Sequence, residues 1–144
     1  MNETTSKAQE TVKIYPDTTR KTRLSSEARE FREAYQISNS NQLQVRSRQR
    51  NLITEEFKEF LEAEATLYLS SSKVREDCLK ELADLVYVCY QYAVNMGWDL
   101  DEAMYRVHKS NMSKLDEYGK PVLREDGKVL KGPFYQPPNL EDLV

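Results

Sequence analysis

The stretch from Leu82 to Met96 is apolar on nearly every side of a helical wheel, interrupted only by Asp84, Gln91 and Asn95. A helix of that kind needs neighbours around it, so the pattern predicts the centre of a helical bundle. It is too short and too often interrupted to cross a bilayer. Gly97 is its expected end, and Ser70-Ser71-Ser72 its upstream break, with Glu76 and Asp77 expected in the first turn, where the helix dipole favours acids.

Three other helices are expected around it. Leu24, Ala28, Phe31 and Tyr35 recur at four, three and four, the mark of one helical face between about Ser25 and Ile37. The Ser38 to Asn41 run is a loop that offers N-cap side chains. A second helix is expected from about Gln42 to Leu69, with Ile53, Phe57, Phe60, Leu61, Leu67 and Tyr68 on one stripe. Glu56 and Glu59 flank that stripe, Glu55 and Glu62 point to solvent, and Glu64 falls inside it without a partner. Asp99 followed by Glu102 is a capping pattern that starts a fourth helix. Its Leu100, Met104, Val107, Asn111 and Lys114 side turns from apolar to polar, as at the border of a site.

Beyond Asp116 the chain changes character. Asp126-Gly127 between Pro121-Val-Leu-Arg and Lys128-Val-Leu-Lys signals a short two-stranded β-hairpin. Pro133, Pro137 and Pro138 make the last segment extended. The expected fold class is therefore all-α. A four-helix bundle spans residues 24–116, a hairpin and extended tail span 117–144, and residues 1–23 form a flexible N-terminal arm outside the core.

A chain of 144 residues fits one domain with one core, so one site is sought. A formal net charge of −3 argues against a nucleic-acid-coating surface. Neither nucleic acid nor a membrane is an expected partner, and the polar start, Met1 to Glu10, does not resemble a secretory signal. Cys78 and Cys89 lie on one expected helix, about 16 Å apart along its axis, and cannot pair with each other. A reducing, cytoplasmic location is the simplest expectation.

The chemistry rests on two acidic segments, Glu55-Glu56-Phe57-Lys58-Glu59 and Glu81-Leu82-Ala83-Asp84. Acids three apart share a helix face, so Glu56 with Glu59 and Glu81 with Asp84 can build a four-carboxylate cage. Solvated acids are the alternative, and the better reading for the Glu55/Glu62 face. Glu81 and Asp84 differ because they begin the most apolar helix, where an unpaired charge is costly. With no Lys or Arg following Lys80 in that helix, the compensating charge must come from another helix or from metal. All-oxygen ligation suits Mg²⁺ or Mn²⁺. A single histidine, His108, rules out a two-histidine site and reads as a surface residue.

Other candidates are Asn111 and Lys114 on the fourth helix, and Lys120, Arg124, Lys128 and Lys131 around the hairpin, all able to meet phosphates or simply to be solvated. Phe31 and Tyr35 are placed either to stack on a base or to pack on the second helix.

Glu-Glu-x-x-Glu, followed after twenty-one residues by Glu-x-x-Asp, resembles the MazG-type all-α nucleoside triphosphate pyrophosphohydrolases, relatives of dimeric dUTPases and phosphoribosyl-ATP pyrophosphatases. Leu52-Ile53, Lys80-Glu-Leu-Ala-Asp-Leu-Val-Tyr and the Gly97 break fit the same family. The C-terminal run Val107-His-Lys-Ser-Asn-Met-Ser-Lys114, with Asp126-Gly-Lys-Val-Leu-Lys-Gly-Pro and Pro137-Pro138, resembles its bacteriophage members. Arg32 stands where those relatives often have His, and Gln36 to Gln44 departs from their pattern.

The resemblance implies that Glu56, Glu59, Glu81 and Asp84 bind two or three Mg²⁺ or Mn²⁺ ions. It implies an outer-shell role for Glu55 and phosphate-side contacts for Asn111 and Lys114. Glu55 or Glu59 would orient or deprotonate the attacking water, and the residues do not decide between them. The implied reaction hydrolyses a nucleoside triphosphate to the monophosphate and pyrophosphate, dGTP being the favoured substrate and dUTP or phosphoribosyl-ATP the alternatives. A homo-oligomer, a dimer of dimers as in similar proteins, is also expected. The rival from another class is a non-catalytic helical adaptor with an acidic edge.

Overall fold

The computed structural model describes residues 24–144, so the expected N-terminal arm lies outside the described residues. Four helices follow one another: α1 (Leu24–Ala34), α2 (Leu43–Glu64), α3 (Ser72–Met96) and α4 (Leu100–Met112). Short 3-10 turns cover Leu67–Leu69 and Glu141–Leu143, and the described residues contain no strand, which makes the fold all-α.

The helix ends follow local chemistry. The Ser71 hydroxyl accepts the Val74 N–H at 3.1 Å and starts α3. Glu76 and Asp77 consequently fall in its second turn, not its first as expected. Gly97 closes the helix at φ 76°, a left-handed position that glycine adopts without strain. The Asp99 carboxylate accepts the Glu102 N–H at 3.0 Å and opens α4. The first helix stops at Ala34 rather than near Ile37, and the second at Glu64 rather than Leu69.

α1 and α2 both lie along α3, while α4 meets α1 and α3 over a short stretch only. Ala28, Tyr90 and Val94, with Leu100 against them, form the core. It therefore sits around the C-terminal turns of α3 and not along its whole length. An α1 of 11 residues covers only that end. Toward the start of α3, Leu79 (67% exposed), Leu82 and Val86 face outward.

Two expected helix faces are corrected. α1 buries Ser25, Ala28 and Arg32, whereas Leu24 and Tyr35 are exposed. The cause is Arg32, whose guanidinium finds its hydrogen-bond acceptors inside the bundle and rotates the helix accordingly. On α2, Gln49 is buried and Leu52, Ile53, Glu56, Phe60 and Ala63 are half-buried, while Phe57, Leu61 and Glu64 are exposed, as is Tyr68 in the 3-10 turn beyond the helix. Glu56 thus belongs to the inward face rather than its edge, and Glu64 is in solvent rather than in the apolar stripe.

The expected hairpin is not formed as strands. Around Asp126-Gly127 there is one antiparallel bridge, Leu123 to Val129, closed by the Gly127 N–H donating to the Arg124 carbonyl at 2.8 Å and by an Arg124–Asp126 ion pair. The following segment straps onto α4. Ser110 donates to the Gln136 carbonyl at 2.7 Å, and Arg106 donates to the Asn139 carbonyl and to Asp142, each at 2.9 Å. A Cβ on Gly132 would stand 2.5 Å from the Lys114 carbonyl oxygen, so this approach admits only glycine. No helix among the described residues is long and apolar enough to cross a membrane.

Candidate functional site

α2 and α3 run antiparallel, and their register builds the site. Gln49 lies across from Gln91, since one Arg32 nitrogen reaches the amide oxygens of both at 3.4 Å. Two turns further along α2, and two turns back along α3, the same register brings Glu56 across from Asp84. Glu81 joins them, because residues three apart share a helix face. Glu56, Glu81 and Asp84 each offer a carboxylate oxygen, all within 4.8 Å of one another. All three residues are half-buried.

Their charges are unequally compensated. Lys80 pairs with Glu81 at 3.1 Å and with Asp84 at 2.9 Å. Hydrogen bonds to Asp84 and then Glu81 push its ammonium above its ordinary value. The compensating charge expected from another helix or from metal is thus supplied in part by Lys80 on the same helix, four residues before Asp84. Glu56 has no such partner, and its Oε2 is buried without a hydrogen bond. Burial first, then the charges of Glu59 and Asp84, push its carboxyl above its ordinary value.

A buried carboxylate oxygen without a donor, facing two more carboxylates, is a donor set for a cation. Opposite ligands of an ion bound at 2.0–2.1 Å stand about 4.2 Å apart, so the observed spread needs only small side-chain adjustment. Oxygen-only ligation fits a hard ion such as Mg²⁺ or Mn²⁺.

Glu59 and Glu55 are exposed and, with Thr54 and Lys58, line a shallow cleft on the outward side of α2. Glu59 is outside the converging group and acts on Glu56 through its charge. Phe31 stacks on Tyr35 at 4.5 Å and meets Tyr87, one turn beyond Asp84, edge-on at 5.7 Å. The Lys114 ammonium donates to Asn111 at 2.8 Å. Lys131 lies over the Tyr135 ring at 4.5 Å, and Lys128 and His108 are exposed. Among the described residues, no hydrogen bond or ion pair joins Asn111, Lys114, Lys120, Arg124, Lys128 or Lys131 to the acids.

The feature that the residue pattern did not reveal is the interior cluster around Arg32, which is 3% exposed. Its signal was present, because Gln91 and Asn95 interrupt the apolar helix one turn apart.

Fold and site together define a class: an all-α protein whose central antiparallel helix pair brings together three carboxylates that could hold a metal ion. Residues 32–111, more than half of the chain, match the family described as phosphoribosyl-ATP pyrophosphohydrolase. The chain belongs to this family, whose members are hydrolases acting on the phosphoric anhydride bonds of nucleotides. No curated protein matches it.

Proposed function

We propose that the protein is a metal-dependent nucleoside triphosphate pyrophosphohydrolase. The observation that carries this reading is the buried, partnerless Oε2 of Glu56 beside Glu81 and Asp84, in a chain of a nucleotide pyrophosphohydrolase family. In the reaction, a water oxygen bonds to the α-phosphorus while the bond to the bridging oxygen breaks, releasing monophosphate and pyrophosphate. Glu56, Glu81 and Asp84 would hold divalent ions, with Glu59 reaching in from the next turn of α2 to complete the set, and ions so held would neutralise charge and lower the pKa of water. Glu55 or Glu59 orients that water or takes its proton. Phe31 and Tyr35 offer a stacking wall near the acids. Asn111, Lys114, Lys128 and Lys131 are the cations and amide proposed for the phosphates.

Those four residues belong to the part of the chain least engaged with α2 and α3, so a second copy is the proposed means of completing the site. Phe57 and Leu61 on α2, with Leu79, Leu82 and Val86 on α3, are exposed next to the acid layer. Leu79, Leu82 and Val86, spaced by three and four, share one side of α3, and Phe57 and Leu61, four apart, one side of α2. Covering these surfaces in a dimer, and pairing dimers, accounts for them. Light scattering at micromolar concentration tests this, and a monomer contradicts it.

dGTP is the proposed substrate, supported by the likeness of the C-terminal run to phage proteins that act on deoxynucleotides. Phosphoribosyl-ATP is the second reading, favoured by the family that the chain matches. A panel of dGTP, dATP, dCTP, dUTP and phosphoribosyl-ATP assayed for pyrophosphate at equal Mg²⁺ separates them. Higher kcat/KM for dCTP or dUTP than for dGTP, by tenfold or more, would remove the guanine assignment. Absence of pyrophosphate from all five would favour the helical adaptor.

A further inference from the structure

Arg32 is a buried cation whose hydrogen-bond partners carry no charge. Its Nε donates to Asn39 Oδ1 at 2.6 Å, one terminal nitrogen to Gln49 Oε1 and Gln91 Oε1 at 3.4 Å each, and the other to the Ser38 carbonyl at 3.1 Å and Asn95 Oδ1 at 2.9 Å. All five N–H groups are thereby used, so the guanidinium has no donor left for a ligand. What it does instead is fix the amides around it. A guanidinium only donates, so each amide must present oxygen to it and turn its NH₂ away.

The three buried amides then differ. The Gln91 NH₂ donates to the Ala28 carbonyl at 3.3 Å and the Asn95 NH₂ to the Ser40 carbonyl at 2.8 Å. The Gln49 NH₂ makes no hydrogen bond among the described residues, and it is not one of the buried atoms left without a partner. That nitrogen therefore keeps some contact with solvent, although Gln49 as a whole is only 6% exposed.

Gln49 and Glu56 are seven residues apart on α2, which places them on nearly the same face, about 10.5 Å apart along the axis. This is the scale of a nucleotide from its α-phosphorus to the far edge of its base. Leu52 and Ile53 on α2, and Phe31 against Tyr87, occupy the intervening turn with half-buried apolar surface suited to a sugar and a base face.

We infer that Gln49 is a specificity-determining residue that donates to an acceptor on the base edge, and that Arg32 is the positioning residue that holds its NH₂ outward. The inference rests on the pyrophosphohydrolase reading and deepens it. A fixed donor favours bases that present a carbonyl oxygen at that edge, guanine or uracil, over the amino-bearing adenine and cytosine. Size is controlled by comparing within purines and within pyrimidines.

The test is kcat/KM for dGTP against dATP, and for dUTP against dCTP, in the wild type and in Gln49→Glu, Gln49→Met and Arg32→Lys. The wild type should favour the carbonyl base in each pair by about tenfold or more, the worth of one well-placed contact. Gln49→Glu leaves an acceptor beside Arg32 and should reverse the preference. Gln49→Met, which covers the case in which the glutamate variant fails to fold, should bring both ratios near unity. Arg32→Lys should lower the ratios chiefly through KM, with kcat changed much less, whereas a merely structural role would lower activity on all four equally. Pyrophosphate release by the Gln49 variants with unchanged ratios overturns the Gln49 assignment alone. Absence of pyrophosphate from every nucleotide with the wild type overturns the underlying reading and this inference with it.

Discussion

Two polar layers on α3 lie two turns apart, and they are handled in opposite ways. Around Gln91 and Asn95 the amides are committed to Arg32 and to backbone carbonyls, in the most buried part of the molecule. Around Glu81 and Asp84 the only cation paired with them among the described residues is the exposed Lys80, and across the helix interface Glu56 keeps a buried oxygen without a donor. A saturated polar layer rigidifies a bundle, whereas an unsaturated one leaves interaction energy for a ligand. The same helix thus carries the architecture at one end and the candidate chemistry at the other.

If that division is right, substitutions in the two layers fail differently. The largest effect is expected at the acids. Glu81→Gln and Asp84→Asn should each lower kcat/KM for pyrophosphate release by about 100-fold or more, the scale of several kcal/mol of lost charge stabilisation. Their helical circular dichroism should be kept, and retained activity in both variants would contradict a chemical role for this layer. In the other layer, Arg32→Met strands buried acceptors and should cost about 2–3 kcal/mol of stability, read as a lower urea midpoint. An unchanged midpoint would mean that the layer is not the structural one.

The pH dependence of the acid layer gives a smaller effect with a defined sign. Because the Glu56 carboxyl lies above its ordinary value, the folded state holds that proton more tightly than the unfolded chain does. Its contribution to stability is present below the ordinary glutamate range and is lost as pH rises through the raised value. Thermal melts without divalent ions should show wild type falling relative to Glu56→Gln across that window. Added Mg²⁺ should restore wild type at pH 7 and do little at pH 4. A Mg²⁺ effect that is equal at both values would remove Glu56 from the account. The smallest effect is expected at Glu64, exposed on the outer side of α2, where Glu64→Gln should leave turnover within about twofold.

Much of the architecture was legible because it follows from local rules. The Ser71 and Asp99 caps, the Gly97 stop and the all-α class all come from short-range chemistry. What was not legible depended on tertiary partners. The spacing of Phe31 and Tyr35 marks one face of α1, yet Arg32 is the residue that points inward, since five acceptors from α2, α3 and the 38–40 loop together offset its burial. In the site, spacing of three placed Glu81 beside Asp84, but the setting of α2 required knowing how the helix is rotated. That rotation brings Glu56 in, and leaves Glu59 and Glu64 outside. The hairpin signal at Asp126-Gly127 produced the turn without strands, because the flanking residues pair through a single bridge while the tail is held to α4 instead.

If the partnerless oxygen of Glu56 belongs to a cation site, a divalent ion should bind there whether or not a nucleotide is present. Calorimetric titration of Mn²⁺ at pH 7 into the wild type and into Glu56→Gln tests it without relying on turnover. Saturable binding is expected in the wild type and should be lost or greatly weakened in the variant. No saturable binding in the wild type, or equal binding in both proteins, would contradict it.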